Sequence, residues 1–273
     1  MLFLFMARSV VFRGTARCPQ CQIAPRWCIC AAARTVALPF ALDILMHNGE
    51  ARKPTSTGNL IRRVVPASRR IIYHNQRPPR REDVCMENRT TWILHPRGDP
   101  LDEVLALARK SPPASPAVPA PSVDFANLQV ILIDGTWAQS TDMLRHVDRW
   151  GQKISLPATA FPSGSRYWLR LQHHPGHFST IEALMALLKL IGLPGEHDAL
   201  RLQFELHVYA CLLARGQKKE AAEFLVESPF EYHCQPNTGC ADSEKLPACI
   251  DSFTPQTGSL APDFLNSARA RNL

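Results

Sequence analysis

Four cysteines fall within thirteen residues near the start of the sequence: Cys18, Cys21, Cys28 and Cys30, spaced Cys-x2-Cys-x6-Cys-x-Cys. Four thiolates at this spacing suit one tetrahedral Zn²⁺, with Cys18 and Cys21 on one knuckle and Cys28 and Cys30 on a tighter one. With every position filled by sulfur, such a zinc would be structural. Free cysteines in a basic leader and iron–sulfur ligation are the alternatives. A second chemical cluster is Asp134-Gly135-Thr136-Trp137, which brings a carboxylate, a permissive glycine, a hydroxyl and a large aromatic together. Its plainer reading is a turn and a helix cap with the tryptophan packed on a sheet. A third is the segment 161–177, FPSGSRYWLRLQHHPGH, where Ser165, Arg166, Tyr167, Trp168 and Arg170 interleave bases with aromatics. Such a mixture stacks on a nucleobase and holds its phosphate, or lies along a surface as an amphipathic strand. Its three histidines have no acid nearby in sequence and do not read as a metal site. A fourth is Ser179-Thr180-Ile181-Glu182, a capping box ahead of an apolar helix.

The elements that position these residues follow from hydrophobic patterning. Leu128–Ile133 is a short apolar run, the mark of a central strand buried on both faces and paired in parallel. Asp134 and its neighbours then stand at the strand's carboxyl end, the edge where open α/β sheets bind ligands. Phe40–Met46, Ile71–His74, Thr91–Leu94 and Lys153–Leu156 are the other expected strands. Helices are expected at Asn59–Val64, Leu101–Lys110, Ala138–Val147, from the 179 cap through Ile191, and over Asp198–Arg215. After the first strand comes a polar loop holding His47, Glu50, Arg52, Lys53 and the Ser56-Thr57-Gly58 turn. A hydroxyl- and glycine-rich turn ahead of a helix offers N–H groups to an anion. It is not a P-loop, because its lysine precedes the turn. Taken alone, His47 is more simply a structural residue. Arg77-Pro78-Pro79-Arg80-Arg81 reads as a solvated basic turn, with a phosphate contact as the alternative. Residues 111–122 hold five prolines and read as a stiff surface excursion. Residues 234–273 show no clear periodicity and read as a tail, with a second metal site at Cys234, Cys240 and Cys249 as the alternative.

Composition bounds the partners. A net charge of +7 and a pI near 9.1 across 273 residues are compatible with a polyanion such as RNA. No run reaches the ~20 apolar residues needed to span a bilayer, so no membrane partner is expected. Residues 1–6, MLFLFM, are too short for a secretory core, and Met6 is a second candidate start. The expected compartment is the cytoplasm, where nine cysteines argue for metal or free thiols over disulfides.

Taken in order, the cysteine set, the His47 loop, DGTW, Ser165-x-Tyr167-x-x-Arg170 and Ser179-Thr180-x-Glu182-Ala183 resemble the DTW-domain family. Its members include tRNA-uridine aminocarboxypropyltransferases. The resemblance runs over roughly residues 13–230. It departs at Ser56-Thr57-Gly58, where an Asn-Thr-Gly turn is expected. It implies an α/β fold of SPOUT-like type, a knotted parallel sheet, in residues 35–230, behind a zinc module at 13–34. It also implies a reaction: the 3-amino-3-carboxypropyl group of S-adenosylmethionine moves to N3 of a uridine in tRNA. Asp134, Thr136 and Trp137 would carry the chemistry. Thr57, Ser165, Tyr167, Ser179, Thr180 and Glu182 would hold the cofactor, and His47, Arg52, Arg166 and Arg170 the RNA. A methyltransferase using the same cofactor and a non-catalytic zinc-containing RNA-binding protein are the rival readings.

Overall fold

The computed structural model describes residues 16–110, 123–161, 164–170 and 177–229. The proline-rich segment 111–122, the histidines His173 and His174, and the tail from 230 lie outside the described residues.

Five strands form one all-parallel sheet in the order β2-β1-β4-β3-β5: β1 Ala41–His47, β2 Arg69–Tyr73, β3 Thr90–Pro100, β4 Leu128–Asp134 and β5 Gln152–Ser155. Every expected strand is present within a few residues, apart from β3, which runs well past Leu94. β4 lies at the centre, flanked by β1 and β3, and Val130, Ile131 and Leu132 are buried in it. Alternation along β1 and β4 divides two apolar layers. Leu42, Ile44, Met46, Val130 and Leu132 face α1 (Thr57–Val64), α5 (Thr180–Leu190) and α6 (Pro194–Ala214). Leu45 and Ile131 face Val84 of the one-turn helix α2 (Arg81–Val84) and Met143, Leu144 and Val147 of α4 (Trp137–Val147). The helices that follow the adjacent strands β1 and β4 therefore leave to opposite faces. The gap between those strands at their carboxyl ends is the switch point of the sheet, where α/β folds open a crevice.

Three departures from the sequence expectation have local causes. β2 begins at Arg69, ahead of the apolar Ile71, because Arg69 donates to both carboxylate oxygens of the fully buried Asp43 on β1, each at 2.7 Å. Gln129 on β4 also donates to Asp43, so one polar clamp ties three strands. β3 continues because its pairing with β5 breaks after Leu94 and resumes at Asp99, both opposite Ile154. The excursion between them needs Gly98: a Cβ there would sit 2.5 Å from the Ile154 carbonyl carbon. α6 starts at Pro194, not Asp198, since a proline in the first turn loses no helix hydrogen bond.

Helix α3 (Leu101–Lys110) matches its expected span. Helix α7 (Lys218–Val226) has no counterpart in the sequence expectation; it buries Ala221 and Phe224 against α6. The cysteine segment shares the main core, with Ile23, Trp27 and Ile29 packed into the layer that holds α6. Arg34 N–H donates to Gln203 at 3.1 Å and Val36 N–H to the Val64 carbonyl at 2.7 Å, joining this segment to α6 and α1. Among the described residues no helix is long and apolar enough to cross a membrane.

Candidate active site

β4 delivers Asp134 to the carboxyl edge of the sheet, opposite Met46 of β1. Two helices begin against its side chain. Ser56, the N-cap of α1, donates to Oδ2 at 3.1 Å, and Thr180, the first residue of α5, donates to Oδ1 at 2.6 Å. α1 comes this close because its second residue is glycine: a Cβ on Gly58 would lie 2.6 Å from Asp134 Oδ2. Burial raises the Asp134 pKa above the ordinary 3.8. The Thr180 and Ser56 hydroxyls and the Arg170 charge oppose the rise, while the Glu50 charge adds to it. The result is a buried carboxyl with enhanced proton affinity, set between two helix N-termini. Each oxygen accepts one hydroxyl and keeps a second lone pair.

The loop after β1 carries a charged cluster whose field reaches Asp134. Glu50 is buried and takes Lys53 Nζ at 2.5 Å and Arg170 Nη2 at 2.7 Å. Burial works against its ionisation, but these two bases outweigh burial and hold its carboxyl below the ordinary range. Arg170 also reaches the Thr55 hydroxyl at 3.3 Å, and the buried Tyr167 hydroxyl donates to the Thr55 carbonyl. Segment 164–170 is thus latched across the 50–56 loop. Its other latch is Glu182 on α5. That carboxylate accepts Ser165 Oγ at 3.0 and 3.1 Å, the Arg166 N–H at 2.7 Å, and the Ser179 N–H and hydroxyl, each at 2.7 Å. The capping box read from sequence is therefore present and does a second task, anchoring the 165 turn.

The remaining sequence-selected residues fall into separate places. Thr57 is buried in the first turn of α1, beside Gly58. Thr136 caps α4: it accepts from the Gln139 N–H at 3.4 Å, while its own N–H donates to Gln139 Oε1 at 2.8 Å. Trp137 is 40 % exposed and stacks on His177 with centroids 3.9 Å apart. His47 ends β1, and its Nδ1 accepts the Gly49 N–H at 3.1 Å; Arg52 is exposed on the same loop. Arg166 lies away from the edge. Its guanidinium grips the buried Glu205 at 2.9 and 2.6 Å and the Phe224 carbonyl at 2.8 Å, so it is presented to α6 and α7 rather than to solvent. Glu50, Ser56 and Thr55 are site residues to which sequence reasoning gave no role of their own, though it named Glu50 and Ser56 in the polar loop. Ser56 had a local signal, a hydroxyl three residues ahead of Asn59. Glu50 had none, since its partner Arg170 is 120 residues away.

Beside Asp134 opens a cavity of about 680 Å³ over the carboxyl ends of β3, β4 and β5. Leu94, Leu132 and Leu156 line it, together with Phe161 and Phe178, which stack on each other. Gly135, Ser179 and Thr180 line it as well. Thr180 therefore belongs both to the cavity wall and to the Asp134 clamp. A pocket of this size with apolar walls and a few convergent polar groups is the form of a small-molecule site.

A second centre lies at the four cysteines. Their sulfurs all lie within 4.8 Å of one another, with Cys18–Cys30 at 3.5 Å and Cys21–Cys28 at 3.7 Å. A tetrahedral zinc with bonds of about 2.3 Å sets its sulfurs about 3.8 Å apart, so this donor set fits one metal ion, consistent with zinc. The N–H groups of Cys21 and Gln20 draw the Cys18 pKa down to about 6. Burial, then the neighbouring Cys18 and Cys28, push Cys30 far up. A bound cation is what would let all four ionise together. With four thiolates the ion would have no open position.

No solved structure matches this chain. A model of the DTW domain matches residues 15–212, a span holding the cysteine cluster, β4 with its terminal carboxylate, the 165–170 latch and the α5 cap. The chain therefore belongs to the DTW-domain family.

Proposed function

We propose that this protein transfers the 3-amino-3-carboxypropyl group of S-adenosylmethionine to N3 of a uridine in tRNA. The DTW family is associated with tRNA-modifying enzymes, which supplies the substrate class. The observation that carries the reading is Thr180, which lines a cavity of about 680 Å³ and donates at 2.6 Å to Asp134, a buried carboxyl of raised pKa. Uridine N3 is protonated at neutral pH and attacks carbon only after losing that proton. Asp134 takes it. N3 then bonds to the γ carbon of the aminocarboxypropyl arm, the carbon–sulfur bond breaks, and its electron pair leaves on the sulfur of methylthioadenosine. A sulfonium leaves readily, so alignment of nitrogen, carbon and sulfur matters more than acid assistance.

The residues divide by task in this reading. Ser179 and Thr180, at the N-terminus of α5, favour the cofactor's carboxylate. Thr57 does the same from α1. Trp137, with 40 % of its surface exposed, stacks on the uracil at the rim. Ser165 lines the cavity, Glu182 and Tyr167 fix the turn that presents it, and Arg170 ties the same segment to Glu50. His47 and Arg52 face the tRNA from the neighbouring loop, and a structural zinc at Cys18, Cys21, Cys28 and Cys30 braces the N-terminal side. The crossover between β5 and α5, by which the chain would close a SPOUT-like knot around the cofactor, is part of the same proposal.

The thioether product tests the group transferred. Incubation with S-adenosylmethionine and unmodified tRNA should release methylthioadenosine, in an amount that rises with tRNA. Release of S-adenosylhomocysteine instead would mean that the methyl group moves and would replace this reading with a methyltransferase.

A further inference from the structure

His95 is the first residue after the pairing of β3 and β5 breaks, so it stands at the carboxyl edge, among the cavity-lining residues. It is 4 % exposed. Its Nδ1 accepts the Arg97 N–H at 3.1 Å, which places the ring proton on Nε2. Nε2–H has no hydrogen-bond partner among the described residues. Burial, then the charges of Arg97 and Lys153, lower the His95 pKa to about 4, so the ring is neutral at pH 7. A buried, unpaired donor costs stability, and its persistence asks for an explanation.

We propose that His95 Nε2–H donates to a ring nitrogen of the adenine of S-adenosylmethionine bound in this cavity. The inference rests on the cavity being the cofactor site. The cavity complements an adenine in two ways. Its lining holds the aliphatic Leu94, Leu132 and Leu156 and the Phe161–Phe178 stack, which suit a flat aromatic ring. Adenine ring nitrogens are neutral acceptors at the ring edge, matched by a single neutral donor and not by a cation. His95 is thereby a binding residue that gives up stability in the free protein for recognition of the cofactor.

The test pairs titration calorimetry of methylthioadenosine with thermal denaturation of the ligand-free protein, on wild type, His95→Phe and His95→Gln. His95→Phe removes the donor and keeps a ring. It should weaken methylthioadenosine roughly tenfold while leaving the free protein's melting temperature nearly unchanged, because relief of the orphaned donor offsets loss of the Arg97 N–H bond to Nδ1. His95→Gln keeps a donor and should return affinity to within about threefold. On wild type alone, one of the deaza analogues that each delete a single ring nitrogen should show the same loss, which keeps the test open if a variant fails to fold. Equal affinity of His95→Phe and wild type, or no loss with any deaza analogue, overturns the proposal. So does a fall of both affinity and melting temperature in both variants, which would mark a purely structural histidine. If wild type binds neither methylthioadenosine nor S-adenosylmethionine, the cavity reading falls first and this proposal falls with it.

Discussion

Asp134→Asn is expected to lower the transfer rate by about 10²- to 10⁴-fold, the range for losing a general base, while making the protein more stable at neutral pH. Both effects come from one cause. Asp134 is buried, and burial raises its pKa above 3.8 in the folded protein. The folded state therefore binds this proton more tightly than the unfolded chain does. That contribution is complete at pH values below 3.8 and is lost as the pH climbs through the folded value. At pH 7 the ionised carboxylate is a net cost, which an isosteric amide removes. Asn keeps one acceptor for Ser56 or Thr180 but cannot take the N3 proton. Melting curves of the two proteins should be separated at pH 7 and converge as pH approaches 4, with the variant the more stable. Retained transfer by a folded Asp134→Asn would remove Asp134 from the proton-transfer role. A melting temperature that falls at pH 7 would show that the two hydroxyl contacts outweigh burial.

Stripping the metal from the cysteine cluster is expected to lower the melting temperature by roughly 10 °C or more. A domain of this size shifts about 2–4 °C per kcal/mol, and a structural zinc contributes several kcal/mol of folding free energy. The effect should reach well beyond the thirteen cysteine-bearing residues. Ile23, Trp27 and Ile29 share the core of α6, and Arg34 and Val36 tie the same segment to α6 and α1. α1 carries Ser56 at its cap, so loosening this side also loosens the Asp134 clamp. Metal analysis should find one zinc per chain, and Cys21→Ser should reproduce the effect of a chelator. A chelator-treated protein that has lost its metal and melts unchanged would contradict a structural role.

The central strand was legible because a strand buried on both faces leaves a nearly unbroken apolar run. The carboxylate that ends it was legible because chain polarity puts it at the ligand-binding edge. The α5 capping box was legible because its chemistry is local, three residues apart. What escaped reading depends on distance in sequence. Glu50 gains its meaning from Arg170, and Arg166, which looks from its neighbours like a phosphate contact, is taken up by Glu205. The extension of β3 was hidden because residues 95–98 leave the ladder before Asp99 rejoins it, so no alternation marks it. Helix α7 was missed because only Ala221 and Phe224 of it are buried, too sparse a pattern to stand out.

The most direct measurement is nucleoside mass spectrometry of unmodified tRNA after incubation with the purified protein and S-adenosylmethionine. A uridine heavier by one aminocarboxypropyl group is expected, with the added mass on the base, formed by wild type and not by Asp134→Asn. A uridine heavier by a methyl group, or tRNA unchanged by a protein shown to bind S-adenosylmethionine, would contradict the proposed transfer.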